Sequence, residues 1–240
     1  MEIHFPELKG VEFYLCGGAV RDKILNNPVK DLDFVMITDM TYNEVINKIE
    51  KEGRIFLAKP EFLTIRCKLQ NNIYDLVFPR GDGHYEDSRH PNNVVRLNSL
   101  CEDSQRRDFT MNALYMDVDG NIIDYMHGKR HIFNRCIVAC GNPDDRFKED
   151  ALRMLRALRF EIQLNFDLND KCVSSIHKYG SLLENISVDR IRDEINKMLL
   201  MDPYMTLKRL HEFNMRNILL NKNLHFQATN KRIGGITCQN

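Results

Sequence analysis

Tyr14-Leu15-Cys16-Gly17-Gly18-Ala19-Val20-Arg21-Asp22, followed by Asp31-Leu32-Asp33-Phe34-Val35, is the stretch from which the rest of the chain is read. An apolar run enters two glycines and leaves as a helical pattern that Asn26-Asn27-Pro28 stops, so strand, tight turn and helix are predicted. Such a turn exposes backbone N–H groups at a helix start, which can hold phosphate, and Arg21 adds positive charge on the first turn. Gly17, Gly18, Ala19, Val20 and Arg21 are therefore candidate phosphate contacts; the glycines alone also fit a plain tight turn. In the second stretch, strand alternation puts Asp31 and Asp33 on one face, about 6.5 Å apart at Cα, with Leu32 and Phe34 on the other. Two like charges on one sheet face repel unless a cation lies between them, which nominates Asp31 and Asp33 as Mg²⁺ ligands. An isolated Asp-x-Asp also fits exposed acids on an edge strand.

Short apolar runs separated by turn signals continue over 11–16, 33–37, 62–69, 73–78 and 114–118, with a hairpin turn at Asp119-Gly120-Asn121 leading into 122–125. With helices over 41–52 and 104–113, this is an α+β domain. After Pro143 strand signals vanish and helices are predicted over 146–160, 170–178, 188–200 behind an N-cap at Ser187, and 204–213. The expected division is 1–140, 141–201 and 202–240.

A chain of 240 residues with 43% hydrophobic and 28% charged residues is an ordinary soluble globular composition and excludes disorder, collagen and coiled coil. No apolar stretch approaches the ~20 residues of a bilayer span, and the start lacks a basic region before an apolar one, so neither membrane insertion nor secretion is expected. Seven cysteines without a Cys-x-x-Cys pair fit a reduced, cytoplasmic compartment, and none is assigned a role. The 34 basic residues balance 34 acidic ones. From Thr206 onward, however, six Lys or Arg accompany the single Glu212, an end that fits either a solvated tail or an RNA-binding arm.

The glycine turn with Arg21-Asp22 and the Asp31, Asp33 pair resembles the Gly-Gly-x-Val-Arg-Asp and Asp-x-Asp signatures of class II tRNA nucleotidyltransferases and bacterial poly(A) polymerases, in the polymerase β superfamily. Further segments match in order to about residue 215. The resemblance implies a polymerase-β-like nucleotidyltransferase head with a mixed or antiparallel sheet, then an all-helical neck and a partial body. It also implies that Mg²⁺ ions at Asp31 and Asp33 activate an RNA 3′-hydroxyl and stabilise charge on the α-phosphate and leaving pyrophosphate. Asp75, in Ile73-Tyr74-Asp75-Leu76-Val77, stands where the family often has a third strand carboxylate.

Arg106-Arg107-Asp108-Phe109-Thr110-Met111-Asn112-Ala113-Leu114 resembles the family's Arg-Arg-Asp-Phe-Thr-x-Asn-Ala-Leu motif. This implies Arg107 as a triphosphate or ribose contact, braced by Asp108 and Asn112; alone, the stretch also fits a solvated helix start capped by Asp103 or Ser104. The polar segment 80–105, containing Tyr85-Glu86-Asp87-Ser88-Arg89-His90-Pro91, is similar to the loop that lets the family switch from adding C to adding A. Enzymes that add only CC carry a shortened one.

The predicted helix 146–160 carries an apolar stripe, Leu152, Leu155, Leu158 and, beyond it, Ile162, and sets Asp150 and Arg153 at i, i+3. By residues alone that pair is a surface ion pair. It resembles the family's Glu-Asp-x-x-Arg motif, in which the protein acts as template. A carboxylate accepts from the exocyclic amino group shared by cytosine and adenine, and a guanidinium donates to the neighbouring ring nitrogen; uracil and guanine would turn a carbonyl towards Asp150. Arg156 and Arg159 are assigned to nucleotide phosphate or helix packing, Glu149 to orienting Arg153, and 186–195 to supporting the base-reading helix.

Two departures from the family stand out. Its Asp-Pro-Phe-Gly-Gly segment is Asp124-Tyr125-Met126-His127-Gly128 here, with one glycine, so the hinge between head and neck is expected to move differently. Family members continue into body and tail domains that grip the tRNA elbow; here the expectation is that the basic end from Lys208 substitutes for that grip, that RNA binding is weak, or that oligomerisation supplies it. The expected function is template-independent addition or repair of the tRNA 3′-terminal CCA from CTP and ATP. Poly(A)-like extension of RNA 3′ ends shares every motif; an inactive RNA-binding module and a small-molecule nucleotidyltransferase are rivals from other classes.

Overall fold

The computed structural model describes residues 3–29, 31–82 and 94–215; the loop motif 85–91 and the basic positions from Arg216 onward lie outside the described residues. The chain runs β1 (Glu12–Cys16), α1 (Gly18–Ile24), β2 (Asp33–Ile37), α2 (Tyr42–Glu52), β3 (Arg54–Lys59), β4 (Thr64–Leu69) and β5 (Asn72–Val77). It continues through β6 (Arg80–Asp82), β7 (Val94–Arg96), α3 (Leu100–Gln105), β8 (Leu114–Met116), β9 (Ile122–Asp124), α4 (Gly128–Phe133) and β10 (Cys136–Ile137). The rest is α5 (Pro143–Glu149), α6 (Leu152–Leu164), β11 (Asp167–Leu168), α7 (Asp170–Tyr179), α8 (Val188–Met201) and α9 (Pro203–Glu212). No helix among the described residues is long and apolar enough to cross a membrane.

Among the described residues, seven strands form one mixed sheet in the order β3-β4-β5-β2-β1-β8-β9. The sheet is antiparallel except where β2 lies parallel to β5, with Asp33 level with Asp75. The carboxylate strand is thus central and gripped from both sides. Its alternation sends Phe34 and Met36 into the main core with Val45 and Ile49 of α2, and Val35 to the opposite face with Cys16, Leu100 and Tyr115. Asp33 shares the face of Val35, because successive strand side chains alternate. Full burial of a side chain such as Phe34 contributes about 2–3 kcal/mol, which anchors the register that aims Asp33. Thr41 and Glu44 close a capping box on α2, as its predicted start requires.

The structure corrects several predicted elements. β3 escaped the sequence reading because it is an edge strand with little burial and a register shift between Ile55 and Leu57, so it has no period of two. The helix expected over 104–113 is instead α3, which begins behind Ser99 and stops at Gln105, followed by one 3-10 turn over Thr110–Asn112. Extended Phe109 between them bridges to Ala139, while the Thr110 N–H donates to the Val138 carbonyl, so tertiary pairing outweighs helical propensity.

The single helix expected over 146–160 is two. α5 starts behind Asn142, Asp150 is extended at φ −143° and ψ 102°, and α6 follows. The Asp150 carboxylate accepts from the Leu152 N–H at 3.1 Å, competing with continuation of the helix. Strands do recur after Pro143, since β11 pairs in parallel with β10. Ser187 occupies the N-cap of α8 without a side-chain cap bond, whereas Asn169 and Asp202 do cap α7 and α9. α6 presents Met154, Leu155, Ala157 and Leu158 to the core and packs against α8 and α9.

Gly128, the glycine kept in the hinge segment, lies so close to the turn carrying Asn112 that an added Cβ would fall 2.2 Å from the Thr110 carbonyl oxygen. Asp124 draws the chain there by accepting from the N–H groups of Gly128 at 2.8 Å and Lys129 at 2.9 Å. Gly128→Ala is expected to cost about 1–3 kcal/mol by overpacking. A thermal melt should show a loss of about 2–4 °C per kcal/mol, and an unchanged midpoint would contradict this packing.

Candidate active site

β1 turns into α1 at Gly17, whose φ of 70° and ψ of −134° disfavour a side chain. Its N–H donates to the Leu114 carbonyl at 3.0 Å, and an added Cβ would meet Arg107 Nη1 at 3.3 Å. The turn opens on a cavity of about 730 Å³. The glycine turn and β2 contribute Gly17, Gly18, Ala19, Arg21, Asp31 and Asp33; the segment between α3 and β8 contributes Arg107, Asp108 and Asn112; and the α5–α6 break and α6 contribute Asp150, Arg153, Arg156 and Arg159.

Two nominated residues stand apart. Val20 turns its side chain into the core and is absent from the lining of the cavity, so only its backbone N–H is left to serve as the expected phosphate contact. Asp75 lines a neighbouring cavity that shares Asp33, Arg106 and Arg107 with the first.

Asp33 holds its proton more tightly than an ordinary carboxyl, through desolvation first and then the Asp75 and Asp31 carboxylates. Asp75 is engaged at 3.5 Å by Arg66. Among the described residues no group of three or more His, Cys, Asp or Glu side chains is arranged to hold a metal. Asp31 and Asp33 are both exposed, line one cavity and make no ion pair with described residues. Paired oxygen donors with mutual repulsion fit a hard divalent cation.

Beneath the cavity, Asp103 is fully buried. Its Oδ1 accepts from Arg106 Nε at 2.9 Å and Nη2 at 2.5 Å, and its Oδ2 from Arg107 Nε at 3.1 Å, Arg107 Nη2 at 2.9 Å and the Tyr115 hydroxyl at 2.7 Å. Arg107 Nη1 donates to the Asn112 carbonyl at 3.2 Å, so the guanidinium is fixed in place. Burial alone would raise the Asp103 carboxyl; Arg107 and Arg106 outweigh it and hold it at about 2.

A second chain of contacts spans the cavity. Asp108 accepts from Arg156 Nε at 2.9 Å and Nη2 at 2.6 Å, from Asn112 Nδ2 at 3.2 Å and from the Phe109 N–H at 2.7 Å. Asn112 Oδ1 accepts from Arg21 Nη1 at 2.7 Å. Burial would raise the Asp108 carboxyl, but Arg156 outweighs it and holds it at about 2. The guanidinium carbons of Arg159, Arg21 and Arg156 lie 4.1, 5.2 and 5.4 Å from the Phe160 ring centre, a cation–π cluster linking α6 to α1.

Asp150 and Arg153 are not helical neighbours, yet both reach the cavity. Arg153 donates to Glu149 at 2.8 Å, which orients it as expected, and to the carbonyls of Arg146 at 3.2 Å and Arg106 at 3.0 Å. Asp150 accepts from Arg190 of α8 at 2.8 Å, and Arg159 donates to Glu194 of α8 at 2.6 Å. α8 therefore props the cavity side of α6.

Sequence reasoning passed over Phe160, took Asp103 only as a possible helix cap, and placed Arg190 only within the supporting segment 186–195, without its partner. The placement of Asp103 three and four residues before Arg106 and Arg107 could have revealed its pairing. Arg190 had no comparable signal, because its partner lies 40 residues away.

Residues 13–138 match the family described as the poly A polymerase head domain, and residues 165–225 that described as the probable RNA and SrmB-binding site of polymerase A. The CCA-adding enzyme of Enterococcus faecalis is 43% identical over 192 residues, covering 80% of this chain and 46% of that protein. The crystal structure of Bacillus stearothermophilus CCA-adding enzyme in complex with CTP has a TM-score of 0.72 at 32% identity, covering 90% of this chain and 49% of that one. A tRNA nucleotidyltransferase complexed with a primer tRNA and an incoming ATP analog has a TM-score of 0.69 at 27% identity, covering 88% and 60%. The chain spans about half the length of the curated relatives it matches.

Proposed function

Because this chain belongs to the poly A polymerase head-domain family, we propose that it is a template-independent RNA nucleotidyltransferase that adds or repairs the 3′-terminal CCA of tRNA from CTP and ATP. The observation that carries this reading is that one cavity gathers the glycine turn, the carboxylate pair and the Asp150, Arg153 pair. The names of the similar proteins, CCA-adding enzymes among them with CTP bound, support the substrates.

In this reading the backbone of Gly17, Gly18 and Ala19 and the guanidiniums of Arg21 and Arg107 hold the triphosphate, while Asp108 and Asn112 keep Arg156 and Arg21 in position. Asp31 and Asp33 would hold Mg²⁺, as the family's nucleotidyl transfer calls for a divalent metal. When bound, it lowers the barrier by neutralising charge on the attacking 3′-oxygen, the α-phosphate and the leaving pyrophosphate. Arg153 has Nη1 committed to Arg146 and Glu149 and Nη2 to Arg106, leaving Nε–H and one Nη2–H for a ring nitrogen. Asp150 retains acceptor capacity beyond Arg190 and Leu152 for an exocyclic amino group. The buried free cysteines, such as Cys67 and Cys140, suit a reducing compartment, and a cytoplasmic setting is part of the proposal.

Incubation with Mg²⁺, CTP, ATP and tRNA transcripts ending before CCA, after C and after CC tests the function, with products resolved to single nucleotides. Extension that halts at CCA is expected. A-tailing without CTP use would move the function to poly(A) synthesis, and no extension would refute it.

Asp150→Ala and Arg153→Ala are each expected to shrink the preference for CTP and ATP over UTP and GTP by about 1–3 kcal/mol, roughly ten- to hundredfold in kcat/KM. Unchanged ratios for the four nucleotides would contradict base reading by this pair.

A further inference from the structure

A second cavity, about 860 Å³, adjoins the first and shares Asn27, Gln163 and Leu164 with it. Its outer wall is α4 and the residues just beyond, which bring Lys129, Arg130, Phe133 and Arg135 to the lining, with no Asp or Glu among the lining residues. The three cationic side chains are exposed and make no hydrogen bond or ion pair with the described residues. Phe133 is 87% exposed, a bare aromatic face beside unpartnered positive charge.

Resting on the nucleotidyltransferase reading above, we propose that this cavity receives the last unpaired nucleotides of the RNA acceptor, its phosphates against Lys129, Arg130 and Arg135 and a base stacked on Phe133.

Three observations select this occupant. An attacking 3′-hydroxyl must arrive at Asp31 and Asp33, so the RNA end has to approach through space beside their cavity, and this second cavity borders it at Asn27, Gln163 and Leu164. Unpaired guanidinium and ammonium groups in a lining without carboxylates suit a polyanion, and an exposed ring suits an unstacked base; single-stranded nucleic acid offers both. The other cavity bordering Asp33 is arginine-lined too, but its charges are already used. There Arg66 faces Asp75, Arg106 and Arg107 share Asp103, and Arg80 donates to the Phe62 carbonyl.

The test uses the full chain and a 5′-fluorescein tRNA transcript ending in CC, followed by anisotropy across a salt series. CTP affinity without RNA, extension by ATP and thermal midpoints are measured alongside. The combined variant Lys129→Ala, Arg130→Ala and Arg135→Ala is expected to bind the transcript more weakly and to flatten the log Kd against log salt slope by about 2, since each lost phosphate contact on a single strand removes about 0.7. Phe133→Ala should weaken RNA binding about tenfold and raise KM for the transcript, while Phe133→Trp restores both. Because these side chains are exposed, all variants should melt as the wild type does and bind CTP equally.

Wild-type Kd and salt slope in the triple variant would overturn the RNA assignment while leaving wild-type CCA addition standing. Lost self-association with unchanged RNA binding would instead make the cavity a protein interface and overturn it too. A wild type that binds CTP but extends no RNA would bring down the function, and this inference with it.

Discussion

Asp31→Ala and Asp33→Ala are each expected to slow nucleotide addition by about a thousandfold or more, because a pair of oxygen donors placed for a divalent cation carries the charge stabilisation of phosphoryl transfer. A rate within tenfold of wild type in single-turnover extension would refute that assignment. Stability should move the other way. The Asp33 proton is held above the ordinary carboxyl value by desolvation and by Asp75 and Asp31. Between the unfolded and folded values the folded state therefore binds more protons, so this group makes stability fall as pH rises through that window. Asp33→Asn removes the penalty and is expected to raise the melting midpoint of the metal-free protein at neutral pH while abolishing activity. Asp75→Asn removes one of the like charges acting on Asp33, so the fall in stability of the metal-free protein with rising pH should be smaller than in the wild type. Parallel stability curves would show that Asp75 does not act on Asp33.

Asp103→Ala carries the second large effect. It strips two guanidiniums and a phenol of a fully buried carboxylate, and breaking a buried pair from one side costs about 3–5 kcal/mol. For a chain of this size that is a fall of about 10 °C in melting midpoint. Arg107 loses its anchor at the same time, so nucleotide affinity should fall in step. The pH dependence has the opposite sign to that of Asp33. With its folded value held at about 2, Asp103 adds stability that is complete above the unfolded value near 4 and is lost as pH falls towards 2. Urea unfolding from pH 6 to pH 2.5 should show a shallower acid slope in Asp103→Ala than in wild type. Parallel curves would mean that the ion-pair centre contributes nothing.

What could be read from residues alone follows a physical pattern. β2 was legible to the residue because a short continuous apolar run bounded by polar residues reads as a strand buried on both faces, and the two glycines marked the turn before α1 because no other residue suits the φ of Gly17. α2 starts where the run 41–52 was expected, and the capping box of Thr41 and Glu44 is the local reason. Where local propensity met a tertiary demand, the reading failed. Residues 104–113 look helical, yet Phe109 is drawn into a bridge with Ala139, and the helical run through Asp150 breaks because that carboxylate satisfies the Leu152 N–H. β3 carried no alternation because it lies at the sheet edge with most side chains in solvent. The membership of the candidate site was more legible than its wiring. The cavity collects nearly all the nominated side chains, but the partners that aim them, Arg190 for Asp150 and Glu194 for Arg159, come from α8 and leave no trace in local spacing.

The central claim is that one cavity both holds the reacting triphosphate and chooses the base without a template. Its most direct test supplies a tRNA transcript ending before CCA with Mg²⁺ and one nucleotide at a time, then with CTP and ATP together. The account predicts two additions and a halt with CTP alone, completion to CCA when ATP follows, and no extension by UTP or GTP. Comparable incorporation of all four nucleotides, or a lengthening run of A on the unextended transcript, would contradict it.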